Sequence, residues 1–173
     1  GYAPDGNTVA GGLDHRVVLH DPRTSMATPL RTLPIPATHN SVVWKFDGTA
    51  IAVRDTDGLH VFDTRSDTPL ASLPLALPTP ASNAIIAPDS RFYVVSTPEA
   101  LHFVNTTTLV TDTTVPLTHA TRLAWGARIN QLFVGDNDGN VTVLFDTTLS
   151  TTGALLGKDR QYHERYVVDE PQE

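Results

Sequence analysis

The sequence contains no cysteine, which excludes a disulfide framework and any thiolate metal or redox centre. No apolar run approaches the ~18 residues that a membrane-spanning helix requires, and no signal or transit pattern is visible. The expectation is a chain without a membrane partner. Basic residues are in the minority, 12 Lys and Arg against 19 Asp and Glu for a net charge of −7, and they are scattered. Phosphate neutralisation needs a clustered basic surface, so direct nucleic-acid binding is expected to be absent or peripheral. No window shows helical periodicity. Catalytic signatures are missing too: there is no nucleophile elbow, no H-E-x-x-H and no phosphate-cradling glycine loop. Gly11-Gly12 leads from one strand straight into another. These gaps predict no catalytic residue, no cofactor and no metal.

What is present is a repeat. Asp21, Asp63, Asn105 and Asp146 each close an apolar run, from Val17-Val18-Leu19-His20 in the first to Val141-Thr142-Val143-Leu144-Phe145 in the last. They stand 42, 42 and 41 residues apart. A second marker keeps the same interval: Pro4-Asp5-Gly6, Phe46-Asp47-Gly48 and Pro88-Asp89-Ser90. A period of roughly 40–45 residues with four strands per unit is the signature of WD40 propeller blades. The expected fold class is therefore all-β: a WD40 β-propeller of about four blades, each an antiparallel four-stranded sheet. A blade needs a neighbour on both faces, and four blades is the low end for a closed ring. The chain thus reads as the C-terminal part of a larger ring of seven or eight blades. The blades are expected at 1–38, with the first strand cut short, and at 39–81, 82–118 and 119–156, followed by a charged tail at 157–173.

Within each period the order is turn, strand, tight hairpin, strand, aspartate, then a Thr/Pro-rich stretch. Asp57-Gly58 and Asp138-Gly139 join paired apolar runs, a hairpin signal because both turn positions tolerate positive φ. Thr97-Pro98-Glu99-Ala100 takes that place in the third period. The Pro-bearing stretches Thr28-Pro29-Leu30, Thr68-Pro69-Leu70 and Thr113-Thr114-Val115-Pro116 fit the outermost strand of each blade and its exit, since proline within sheets is confined to edges and connections. In the tail, Tyr166-Val167-Val168 reads as a short docking strand.

The closing aspartates would ordinarily follow a Trp that joins a hydrogen-bonded set with a Ser/Thr, a hairpin Asp and a His. Here His20, Phe62, Val104 or Phe145 precedes, and Phe and Val lack the indole donor, so that set is incomplete. Asp14, Asp57, Glu99 and Asp138 are the expected hairpin acids, and His39 and His119 stand where the repeat's His belongs. Asp136-Asn137-Asp138-Gly139 lacks the downstream ligands of a calcium loop and reads as a hairpin. The candidate partner-binding residues are Asp21 and Arg23, and Asp63 and Arg65. A D-x-R box after the same strand in two successive blades resembles the motif by which some WD40 proteins dock on a cullin-ligase adaptor. The plainer reading is an Asp–Arg pair bracing a turn, worth ~0–1 kcal/mol when exposed.

The fourth period, Arg122-Leu123-Ala124-Trp125-Gly126-Ala127-Arg128-Ile129-Asn130-Gln131-Leu132-Phe133-Val134-Gly135, resembles the last blade of the WD repeat-containing protein 70, or gastrulation-defective, family. Phe46-Asp47-Gly48-Thr49-Ala50-Ile51-Ala52-Val53-Arg54 with Leu59-His60-Val61-Phe62-Asp63-Thr64-Arg65 is similar to another of its blades, as is the Pro/Leu stretch at 73–80. The resemblance implies a nuclear, non-catalytic scaffold whose partners are proteins of a multi-subunit complex, the spliceosome first. It also implies, as alternatives, chromatin or DNA-damage roles and a substrate-receptor role on a cullin-type ubiquitin ligase. A propeller enzyme and a secreted binding propeller are the readings from other classes.

Overall fold

The computed structural model describes residues 1–13, 15–24, 27–76 and 82–157. Asp14, residues 77–80 of the Pro/Leu stretch and the charged tail beyond Gly157, with Tyr166-Val167-Val168, lie outside the described residues. The strands are β1 (Val9–Leu13), β2 (Arg16–His20), β3 (Arg31–Pro34), β4 (His39–Trp44), β5 (Ala50–Asp55), β6 (Leu59–Asp63), β7 (Pro69–Leu73), β8 (Ile85–Ile86), β9 (Phe92–Ser96), β10 (Ala100–Asn105), β11 (Thr111–Pro116), β12 (Ala120–Gly126), β13 (Gln131–Asp136) and β14 (Val141–Phe145). A short 3-10 helix follows at Gly153–Gly157. Strands adjacent in sequence pair antiparallel into four sheets: β1-β2-β3, β4-β5-β6-β7, β8-β9-β10-β11 and β12-β13-β14.

The second and third sheets have the expected four strands; the first, whose opening strand was expected to be cut short, has three, and the last has three among the described residues. In the first, residues 1–3 run beside β1. The Gly1 amino group donates to the Ala10 carbonyl at 2.7 Å, the Ala10 N–H donates back to Gly1 at 2.8 Å, and Tyr2 bridges Val9. In the last, β14 pairs with β13 and has no outer partner among the described residues. The outer strand of the first sheet is Arg31–Pro34, just beyond the Thr28-Pro29-Leu30 stretch read as that strand.

Period-two alternation explains the stacking, because successive side chains on a strand leave opposite faces. Ile51 and Val53 face the first sheet, where Val17, Leu19 and Leu33 meet them with Trp44 and Phe62. Ala50 and Ala52 on the same strand face the third sheet, packing with Leu59 and Val61 against Tyr93, Val95 and Val104. Every residue of β5 is consequently buried. Val94 and Leu101 continue the pattern into Leu123, Leu132 and Val134 of the fourth sheet. Each core thus lies between blades, so no sheet buries its apolar faces alone.

Polar links cross the same interfaces at almost one period. Trp44 Nε1 donates to the Gly1 carbonyl, 43 residues back, at 3.2 Å. The Ala84 N–H donates to Ser41 Oγ, also 43 away, at 2.8 Å. The Asn83 amide donates to and accepts from the Leu123 backbone, 40 residues on, at 3.0 and 2.8 Å. A link between equivalent positions of neighbouring blades must recur at the repeat length.

Two turn readings are corrected. Asp57 and Asp138 do not cap their hairpins; both are exposed, and the capping acids stand two residues earlier. Asp55 Oδ1 accepts the Asp57 and Gly58 N–H groups at 2.9 and 2.8 Å. Asp136 Oδ1 accepts those of Asp138 and Asn140 at 2.9 and 2.8 Å. Gly139 does have positive φ, at 87°, but Gly58 does not. Gly58 is glycine because the Leu73 backbone carbonyl occupies the space where a Cβ would stand.

Candidate functional site

In an up-and-down sheet, the connections after the first and third strands fall at one edge and the hairpin between them at the other. The Asp-x-Arg turns follow β2 and β6, so both reach the same edge of neighbouring sheets. Each is built alike. Asp21 Oδ1 accepts the Arg23 backbone N–H and Nε at 2.9 Å, and Oδ2 accepts Nη2 at 2.9 Å. Asp63 does the same for Arg65, at 2.8, 3.0 and 2.8 Å. Asn105 and Asp146 make the equivalent turns by accepting backbone N–H groups of Thr107 and Thr108, and of Thr148 and Leu149. Only the first two sheets add an arginine two residues on.

The two arginine side chains stand out into solvent, 70% exposed at Arg23 and 83% at Arg65, each held by a bidentate fork. Arg31, at the start of β3, reaches Asp67 in the next sheet's turn at 2.6 Å, tying the two turns together. Between them opens a cleft of about 320 Å³, lined by Asp5, Leu19, Leu30, Arg31, Trp44 and Thr64 among others. The edge therefore carries pre-positioned cations beside a cleft of mixed polarity. It can anchor a partner.

The carboxylates of this edge are committed to their turns. Hydrogen bonds from the Arg65 side chain, then its backbone N–H, hold the Asp63 carboxyl at about 2. Thr49, through its hydroxyl, lowers Asp47 to about 2 against the cost of burial. Arg23 lowers Asp21 in the same way. Folded values below the unfolded one mean stability that is full above about pH 4 and is lost as pH falls through about 2. Asp63→Asn keeps the turn, as Asn105 shows, and removes the titration. Denaturation midpoints between pH 6 and 2 should therefore fall less steeply for Asp63→Asn than for the parent; superimposable curves would contradict the assignment.

Sequence reasoning missed a buried polar set at the opposite edge. Arg54, inaccessible to solvent, donates from Nη1 to the Leu75 carbonyl and from Nη2 to Ala76 and Ser96 at 3.0 and 2.9 Å. Burial pushes its pKa down to about 10, opposed by Asp55, so it stays cationic at neutral pH. Asp55 Oδ2 lies 3.0 Å from His60 Nε2 without an aligned hydrogen bond, and His60 Nδ1 lies 2.9 Å from Ser72 Oγ. Asp55, His60 and Ser72 are thus brought together, but Asp55 and His60 do not complete a hydrogen-bonded set. His102, one period on, has Thr97 Oγ1 at 3.1 Å from its Nε2, because Thr97 stands where Asp55 would be. The signal available was Arg54-Asp55 ending an otherwise apolar strand. Among the described residues no cluster of three or more His, Asp or Glu could hold a metal.

No family model matches the chain, and no curated protein matches it by sequence. Among solved structures, 611 chains match it, so the fold is widely shared and cannot alone choose a partner. It is similar to the C-terminal WD40 domain of Sif2, 19% identical with a TM-score of 0.70 over 84% of this chain and 42% of that one. A chain of a mitotic checkpoint complex is 18% identical with a TM-score of 0.68, over 79% and 46%. Hydrazine synthase from Kuenenia stuttgartiensis is 14% identical with a TM-score of 0.65, over 83% and 47%. This chain spans less than half the length of each. At these identities the likeness is one of fold: the four sheets are blades of a WD40-type β-propeller.

Proposed function

We propose that this chain is a non-catalytic, protein-binding scaffold, acting in the nucleus as part of a large ribonucleoprotein, the spliceosome first. The observation that carries the scaffold reading is the edge at Arg23 and Arg65. Two arginines are locked in one orientation and largely exposed, while the adjoining carboxylates are engaged as turn caps. Arginines so fixed suit an interface anchor, where a few residues supply most of the binding energy. One similar structure comes from a multi-protein assembly, a mitotic checkpoint complex, which supports protein partners. The splicing assignment is supported by the likeness of residues 122–135 to the WD repeat-containing protein 70 family.

A second reading has its own observation. The Asp-x-Arg turns recur in successive sheets with the same fork geometry, as docking on a cullin-ligase adaptor would use them. Affinity purification of the intact protein separates the two. Small nuclear RNAs with splicing factors are expected under the first reading, and ligase subunits without RNA under the second. Recovery of neither would remove both.

A further inference from the structure

Each Asp-x-Arg turn is left with more donors than acceptors. A guanidinium carries five N–H groups, and the fork on each carboxylate uses two of them. Three N–H groups on Arg23 and three on Arg65 therefore have no partner among the described residues, on side chains that stand in solvent. The carboxylates are nearly full. Of about four acceptor sites on a carboxylate, Asp21 and Asp63 each give three to their own turn. The other aspartates at this edge of the two blades are engaged as well: Asp5 by Asn7, Asp47 by Thr49 and Lys45, and Asp67 by Arg31. The chain is acidic as a whole, yet what this edge has left to offer is guanidinium N–H. The cleft between the two turns adds Leu19, Leu30 and Trp44 to its lining.

Resting on the scaffold reading, in which this edge anchors a protein partner, we propose that the partner presents an acidic segment. It carries two Asp or Glu side chains, one for each arginine, with an apolar residue between them that enters the cleft. A carboxylate accepts two parallel N–H groups from the free side of a guanidinium in one plane. A basic segment would meet those N–H groups as like charges and find the nearby acceptors already taken. Both arginines are held by their forks before the partner arrives, so little side-chain freedom is lost on binding. Exposed ion pairs are individually weak, so the two acidic contacts and the apolar residue act together.

The test selects phage-displayed random short peptides on the full chain and measures the affinity of the winners by fluorescence anisotropy. The selected peptides should carry two Asp or Glu around an apolar residue, and their binding should weaken as salt screens the contacts. Arg23→Gln or Arg65→Gln alone should cost about tenfold in affinity, and the double variant more. Exchanging the two acids of a selected peptide for lysine should abolish binding to the parent and restore it to Arg23→Glu/Arg65→Glu. Circular dichroism checks that the variants stay folded. Selected peptides that lack acidic pairs yet lose affinity in the glutamine variants overturn this inference and leave the anchor reading standing, as does a library that yields no binder. Peptides that bind the double glutamine variant as tightly as the parent overturn the inference and count against the anchor reading as well.

Discussion

Arg54→Leu is expected to lose about 2–4 kcal/mol of stability, a large share of the roughly 5–15 kcal/mol margin of an ordinary domain. The side chain is fully buried, and its fork serves three backbone carbonyls: Leu75, Ala76 and Ser96. The buried Ser96 carbonyl left without a donor costs about 1–3 kcal/mol, the half-buried Leu75 and exposed Ala76 carbonyls cost less, and leucine can donate to none. The first two lie on the exit from β7 and the third on β9, so one residue fastens the second blade's exit segment to the third blade. Arg54→Lys should fall between, because a single ammonium cannot match the planar fork. Urea denaturation of the three proteins checks the order. A loss under about 1 kcal/mol for Arg54→Leu would mean that water takes over the three acceptors.

Gly58→Ala is the second large effect, about 2–4 kcal/mol, at the upper end of overpacking costs. The added methyl would overlap the Leu73 carbonyl, and that neighbour is backbone, which cannot rotate away. Gly58 N–H also donates to the buried Asp55 carboxylate at 2.8 Å, so any shift to relieve the overlap disturbs the hairpin cap. Gly139→Ala offers the contrast. It has open space around it but a φ of 87°, so its cost is backbone strain alone, about 1–2 kcal/mol. Equal losses for the two, measured by thermal unfolding, would show that Leu73 moves aside freely.

These two residues mark where the sequence stopped being readable. The repeat was visible because turns demand particular chemistry: Asp at the closing positions accepts nearby N–H groups, and glycine at Gly6 and Gly48 takes positive φ. Those demands are local, so they survive in a one-dimensional reading. Asp-Gly at residues 57–58 looks locally like the same turn as 138–139, yet one glycine is there for φ and the other for a carbonyl fifteen residues on. The capping acid was misplaced by two residues for the same reason. Both Asp55 and Asp57 are close enough to cap, and burial decides in favour of Asp55. The fourth blade hides a similar ambiguity. Its hairpin is one residue longer, pairing Leu132 with Leu144 where Ile51 pairs with Phe62, so Phe145 takes the register of Asp63 although Asp146 makes the turn. Arg54 could not have been placed at all, because its acceptors lie in a connection and in another blade. Arg23 and Arg65 were legible as turn partners, since two residues suffice to define the fork. Whether the same fork meets a partner is a property of the exposed side of the guanidinium.

That exposed side is where the account is tested most directly. The full protein is purified from cell extract with its partners, in parallel with Arg23→Glu/Arg65→Glu and with Arg23→Gln/Arg65→Gln as the variant that adds no negative charge. Circular dichroism establishes that the blades remain folded, and quantitative mass spectrometry with RNA sequencing compares what co-purifies. The account predicts a defined set of protein partners with the parent chain, reduced at least tenfold in the charge-reversed variant and partly in the neutral one. An undiminished partner set on a folded, charge-reversed protein would contradict it.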